Sequence, residues 1–358
     1  MKQKSEKKKM KIWKKVLIVI GILAVIGISC MAFLLYGPYS GFRDWFITVA
    51  MTSMEHQWLA ELFYSDETIA EVLQNNRIDE IDEATDTESI NTEEVEEKIE
   101  YANEYEKQLF ADDLDPEEYD IYADTDEYRI IEITGDGYTG YLAAVYDPST
   151  IQTLVTSKLG TSGEYLTTMA EDNNAILAIN GGRFYDPNYS SNAANPRGVT
   201  YSNGVCMTSF SYSGTGGIVG FNDDDVLVLS STCTKANAEA LNIRDCVTAG
   251  PFLIVNGQAS TVVGNGGWGT APRTAIGQRE DGVVLFLVID GRAIGRQGAD
   301  MDDLIEIMQN YGAYNAANLD GGTSSVMVVD YEIINDPIDS TGAHKTRFIA
   351  TGFGVIAN

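Results

Sequence analysis

The segment VLIVIGILAVIGISCMAFLLY, Val16 to Tyr36, carries no charged residue, and it constrains this chain more than any other feature. As a helix rising ~1.5 Å per residue, it is long enough to cross the ~30 Å hydrocarbon core of a bilayer. Eight lysines against one glutamate fill the first 15 residues, immediately before it. The bias of basic residues toward the cytoplasm predicts that residues 1–15 form a cytoplasmic tail, that 16–36 span the membrane once, and that the remainder is extracellular. The run is too long for most cleaved signal peptides, and no small-x-small cleavage site follows it. Gly27 stands where a lipoprotein signal ending at Cys30 carries an aliphatic residue. A retained anchor is the expectation.

Net charge is −29. Without the first 15 residues, 16 basic residues face 52 acidic ones. A body of that sign repels phosphate backbones, so nucleic acid is not an expected partner. Beyond the anchor, Phe42, Trp45, Phe46, Val49 and Leu59 recur at helical spacing, which predicts an amphipathic juxtamembrane helix with Trp45 and Trp58 suited to the interface. Ser65 is placed to cap a second helix, DETIAEVLQ. Between Asp79 and Glu127, 22 acidic residues face two lysines, which predicts a solvated, self-repelling stalk, so that residues 37–127 hold juxtamembrane helices and stalk. No D-x-[DN]-x-[DN]-G loop occurs there, and no calcium site is expected. Cys206, Cys233 and Cys246 lack metal spacing and allow at most one disulfide.

From Tyr128 the texture changes. YRIIEIT and YTGYLAAVYD alternate like strands, GVVLFLVIDGR reads as a strand buried on both faces, and DMDDLIEIMQNYG has Leu304, Ile305 and Met308 on one helical face. The expected fold class is α+β: a single mixed-sheet domain with flanking helices over residues 128–358, preceded by the transmembrane helix and the acidic stalk. Polar clusters fall where the apolar strands end. INGGRFYD supplies Asn180, Gly181 and Arg183; AGPFLIVNGQ has a turn at Asn256-Gly257; VGNGGWG carries Trp268; APRTAIG starts a strand at Arg273; IDGR ends one with Asp290 and Arg292; NLDGGTSS groups Asn318, Asp320, Gly321, Thr323 and Ser324. Each Asp-Gly or Asn-Gly alone is a turn signal. Recurring acids, arginines and amides at strand ends form the usual pattern of a site.

Other chemistries are thinned by what is missing. HExxH and GxSxG do not occur, and His56 and His344 are far apart, which disfavours a zinc site or a Ser-His-Asp triad. No glycine-rich phosphate loop follows a strand. Carboxylate chemistry with arginine and amide support remains, and it calls for no cofactor and no metal.

The blocks AINGGRFYD, AGPFLIVNGQ, PRTAIGQREDG, VIDGR and GADMDDLIEIMQNYGAYNAANLDGGTSSVMVV, with HKTRFIATGFGV more loosely, resemble in order the phosphodiester glycosidase family, over roughly half the chain. That family often has a third glycine after LDGG, where Thr323 stands here. The tail pattern around Arg347 is altered, which leaves Arg347 outside the candidate set. The resemblance implies cleavage of a sugar-1-phosphodiester between the anomeric carbon and oxygen, in an envelope or extracellular polysaccharide. It implies Arg273, and secondarily Arg292, for the phosphate. Asp320 and Asp290 become the candidates for water activation and charge stabilisation, and Asn180 and Asn318 for sugar hydroxyls or an acetamido group. Gly181, Arg183, Gly321, Thr323, Ser324 and Trp268 complete the implied binding set. A non-catalytic glycan-binding or assembly protein, and a transferase on the same site, are the rival readings.

Overall fold

A computed structural model of the chain describes residues 12–52, 56–92, 101–112, 114–186 and 192–357. The lysines of residues 1–11 lie outside the described residues. The chain divides into two compact units, Met1–Gln74 and Asn75–Asn358.

In the first unit one helix, Ile12–Tyr36, is long and apolar enough to cross a membrane and holds the expected run. The aromatic stretch after it is two helices, Ser40–Thr52 and Gln57–Phe63. With the helix Asp66–Asn75, they bury Ile47, Ala50, Ala60, Ile69 and Val72 together. Ser65 caps that last helix, its hydroxyl accepting from Thr68 N at 3.3 Å.

The second unit is the expected α+β domain. An eight-stranded sheet runs, edge to edge, Gln258–Ala259, Phe252–Val255, Ala313–Asn318, Arg273–Arg279, Val284–Asp290, Tyr138–Val145, Tyr128–Gly135 and Ile121–Asp124. A five-stranded sheet contains Gly217–Asn222, Ile243–Ala249 and Val199–Ser202. A second five-stranded sheet places Ala175–Asn180 between Met327–Val329 and Thr351–Ile356. Every ladder among the described residues is antiparallel. The strand Val284–Asp290 is nevertheless buried on both faces. Val284, Phe286 and Val288 enter a core shared with Leu177, Ile179, Phe221 and Val247 from the five-stranded sheets. Leu285, Leu287 and Ile289 face the other way, against Leu304, Ile305 and Met308 of the helix Met301–Asn310. Two cores on opposite sides account for an uninterrupted apolar run without parallel pairing. The Asn256-Gly257 turn forms as expected, both residues at positive φ, joining two antiparallel strands.

The acidic segment is not a free stalk over its described residues, and the compact unit begins at Asn75 rather than Tyr128. Arg77–Asp79 pairs with Thr261–Val263, and Ile121–Asp124 forms the edge of the large sheet. Ile78, Ile90 and Leu109 are buried. Its acids find partners: Glu106 meets Arg279 at 2.7 Å and Asp124 meets Arg129 at 2.7 Å. Sparse apolar residues at anchoring positions, with local charge pairing, overcome the self-repulsion that the composition suggests. The four cysteines are free thiols, with Cys233 and Cys246 buried.

Candidate active site

Loops from three sheets meet at one carbonyl. Gly250 O accepts from Arg183 Nη2 at 2.5 Å and from Asn318 Nδ2 at 3.0 Å. Gly181, just past the strand Ala175–Asn180, accepts from Asp320 N at 3.0 Å. A Cβ on Gly181 would lie 2.8 Å from Thr351 Oγ1, so only glycine lets this loop approach its neighbouring strand. The motifs INGGR, AGP and NLDGG are thereby fastened to each other.

Asp320 sits at the centre, partly accessible on its turn. Burial of its carboxyl raises the pKa above the ordinary carboxylate value, and the charges of Arg347 and Arg183 oppose that rise. Arg347 stacks over Phe184 at 4.4 Å and donates to Asp186 at 3.0 Å. Arg183 stacks over Trp268 at 5.0 Å and donates to Tyr212 Oη at 2.9 Å. On the other flank, Gly322 N donates to Pro272 O at 2.8 Å, laying the turn against Arg273. Gly321 packs there too: a Cβ on it would lie 3.0 Å from Pro272 O. Gly322 has φ +65°, and a Cβ on it would lie 2.9 Å from Arg292 Nη2. Arg292 also donates to Thr323 Oγ1 at 2.8 Å. In a chain of net charge −29, four guanidinium groups surround one carboxylate-bearing turn.

Arg273 is 5% exposed and forms no ion pair with a carboxylate among the described residues. Its Nε donates to Ala299 O at 3.1 Å, and its Nη2 donates to Trp268 O at 2.8 Å and to Gly269 O. Burial, reinforced by the like charge of Arg292 and opposed by Asp300, lowers its pKa to about 10. Nη1 makes no hydrogen bond to a described residue, and is the donor left for an anion. Three buried acceptors or hydroxyls close to the turn also lack partners among the described residues: Asn318 Oδ1, Ser324 Oγ and Ser325 Oγ. Ser324 Oγ lies near enough to Asp320 to favour its ionised form without closing a hydrogen bond of good geometry. Unsatisfied buried polar atoms beside a partly open turn suit a polar ligand.

Two sequence candidates have their polar atoms engaged by hydrogen bonds within the protein. Asn180 spends its amide internally: Nδ2 donates to Asp320 O at 2.6 Å, while Oδ1 accepts from Thr274 Oγ1 at 2.7 Å and Val326 N at 3.1 Å. Asp290 accepts from Asn335 Nδ2 at 2.8 Å and from Asp336 N at 3.1 Å, with Arg296 at 3.6 Å. Burial raises its pKa. Asn335 in turn holds Ser325 O at 3.2 Å, which links Asp290 to the turn through that amide. Sequence reasoning left out Arg347, whose signal is its place just before the strand beside INGG. It also missed Glu80, whose oxygens accept from Phe252 N at 2.6 Å and Gly216 N at 3.0 Å, bracing the loop that carries Gly250. No local signal separates Glu80 from the acids around it. No cluster of three or more potential metal ligands occurs among the described residues.

Residues 173–356, just over half the chain, match the family model described as phosphodiester glycosidase. This chain belongs to the phosphodiester glycosidase family. The matched region holds Asn180 through Arg347 and leaves out Glu80. The fold is similar to that of the catalytic domain of zebrafish N-acetylglucosamine-1-phosphodiester alpha-N-acetylglucosaminidase, auto-inhibited by its pro-peptide. The TM-score is 0.54 at 18% identity, covering 66% of this chain and 86% of that one. A putative exported protein of Burkholderia pseudomallei aligns at TM-score 0.47 and 18% identity over 62% of this chain and 74% of its own. Among curated proteins, the SPbeta prophage-derived uncharacterized protein YomE of Bacillus subtilis is 28% identical over 189 residues, 50% of this chain. The match spans 28% of that relative's length.

Proposed function

We propose that this phosphodiester glycosidase hydrolyses sugar-1-phosphodiester links in an envelope or extracellular polysaccharide, held to the membrane by its N-terminal helix. The observation that carries the reading is Asp320 on a turn ringed by Arg183, Arg273, Arg292 and Arg347. The phosphodiester anion lies against Arg273 Nη1 and Arg292. Asp320 takes a proton from water as the water oxygen bonds to the anomeric carbon. The carbon–oxygen bond breaks, and its electron pair leaves on the phosphate. A phosphate monoester is a weak base, so departure needs cationic neutralisation more than a general acid. Asn318 and Ser324 supply the unpaired polar atoms that a sugar hydroxyl or acetamido group would meet. Asp290 and Asn180 position the turn. The eight lysines before the apolar run support a cytoplasmic N-terminus and an extracellular domain.

The test is full-length protein in detergent with a synthetic GlcNAc-1-phosphodiester. Free sugar and a phosphomonoester are expected. Release of sugar 1-phosphate would mean cleavage at phosphorus, and absence of turnover across a panel of sugar-1-phosphodiesters would overturn the assignment. Transfer to an added sugar in preference to water would make the protein a transferase. Protease added to intact cells should remove the domain; protection would reverse the topology.

A further inference from the structure

A groove of about 490 Å³ opens beside this site, lined by Tyr185, Arg197, Phe210 and Tyr212 among others. That volume falls within the ~300–1,000 Å³ typical of small-molecule sites. It adjoins the candidate site through one shared contact: the Tyr212 hydroxyl that lines it accepts from Arg183 Nη1 at 2.9 Å and donates to Thr215 O at 2.7 Å. Backbone bonds make the wall firm: Arg197 N donates to Arg183 O and Tyr185 N to Asn195 O, both at 2.8 Å. Tyr185 is 57% exposed and Phe210 50% exposed, a large uncovered aromatic surface for two neighbouring positions of one groove. Flat aromatic faces pack well against the apolar C–H face of a pyranose ring, while Tyr also offers a hydroxyl.

Arg197 adds the second requirement. It is exposed and forms no ion pair or side-chain hydrogen bond with a described residue, in a chain with 53 acidic residues against 24 basic ones. Its charge reaches Tyr212 across the groove. The phosphodiester being cut is already accounted for by Arg273 and Arg292, on the flank of the turn away from Arg183. The anion that complements Arg197 is therefore a second one.

We propose that the groove binds the next sugar unit of the substrate and that this unit carries its own anionic group, so that the preferred substrate is a repeating anionic glycan rather than an isolated sugar phosphodiester. This inference rests on the hydrolytic reading of the Asp320 site and deepens it. One charge-assisted contact in such a groove corresponds to roughly tenfold or more in kcat/KM.

The experiment compares four substrates on full-length protein in detergent: GlcNAc-1-phosphomethyl, and the same compound extended at a hydroxyl of its GlcNAc by a neutral second sugar, a second sugar bearing a phosphodiester, or a second sugar bearing a carboxylate. The anionic two-unit substrates should exceed the one-unit compound at least tenfold, with the neutral one between. The two anionic arms tell whether phosphate or carboxylate is read. Arg197→Gln should bring the anionic substrates down to the neutral one, and Phe210→Ala should bring all two-unit substrates toward the one-unit rate. Neither should change turnover of the one-unit compound. Equal kcat/KM for all four, or an anionic preference that survives Arg197→Gln, would overturn the proposal. Failure to cleave any of the four would instead overturn the hydrolytic reading. In that event, calorimetry with the anionic two-unit compound decides the groove: binding lost in Arg197→Gln sustains it, and binding absent or unchanged removes it.

Discussion

Replacing Arg273 with methionine separates the two roles that a buried guanidinium can play. The side chain is 5% exposed, and burial draws its pKa from 12.5 to about 10. At ~1.4 kcal/mol per pH unit, that drop is ~3 kcal/mol of charge burial left uncompensated at neutral pH. Methionine removes the charge and fills much of the volume. It also removes the hydrogen bonds to Ala299 O, Trp268 O and Gly269 O, each worth ~1 kcal/mol or somewhat more. The two effects nearly cancel, so the melting temperature should move by no more than ~5 °C. The ligand response should not cancel. Inorganic phosphate at ~100 times its Kd should stabilise the wild-type protein by ~2.7 kcal/mol, visible as a rise of ~5–10 °C in a fluorescence melt. In Arg273→Met that rise should vanish, and kcat/KM toward a sugar-1-phosphodiester should fall ~10²-fold through loss of a charge-assisted contact. An unchanged phosphate response, or a fold that collapses by more than ~10 °C, would show Arg273 to be a structural brace and refute the reasoning.

Asp320→Asn should abolish turnover and leave the protein at least as stable at pH 7. Burial raises the folded pKa, so the stability gained from the neutral carboxyl is present below the ordinary carboxylate range and is lost as pH rises through the folded value. Melts from pH 4 to pH 8 should therefore show the variant's advantage shrinking toward acid pH; a variant less stable at pH 7 contradicts this. A fragment starting at Tyr128 should be insoluble or melt ~10 °C or more below one starting at Asn75, because it lacks buried Leu109 and an edge strand of the large sheet. Equal melting would show that the acidic segment contributes nothing to the fold. Arg279→Met should cost ~3–5 kcal/mol in denaturant unfolding, since it removes the one guanidinium that Glu106, Asp281 and the Tyr311 carbonyl share. A loss under ~1 kcal/mol would mean that this cluster is solvated.

The sequence was most legible where a pattern reports local physics. The uncharged run, the cap at Ser65, the helix face of Leu304 and Met308, and the Asn256-Gly257 turn are all properties of a few adjacent residues, and all form. The strand ends that carry Arg183, Arg273 and Asp320 do come together, because glycine turns at sheet edges place loops on a common side. What could not be read is which polar atoms remain free. Asn180 and Asn318 look alike in sequence, yet one spends its whole amide on Asp320, Thr274 and Val326 while the other keeps Oδ1 unpaired. Asp290 and Asp320 both precede glycine, and only the packing of Asn335 and Asp336 distinguishes them. The docking of the described residues between 75 and 127 was hidden for a related reason: average charge describes a segment, whereas Ile78, Glu80, Glu106 and Leu109 act singly.

The bond between Gly181 and Asp320 and the stacking of Arg347 on Phe184 have a consequence for how the candidate site comes into being. The residues of the site are strewn from Glu80 to Arg347, and the strand Thr351–Ile356, which lies between Ala175–Asn180 and Ile151–Val155, comes after all of them in the chain. Until that strand inserts, two sheet edges stand open and the loop of Gly181 has no Thr351 to rest on. A growing or clipped chain therefore holds no partial version of the site. Activity should switch on in a single step with the completion of this sheet, which makes hydrolysis itself a reporter of finished folding.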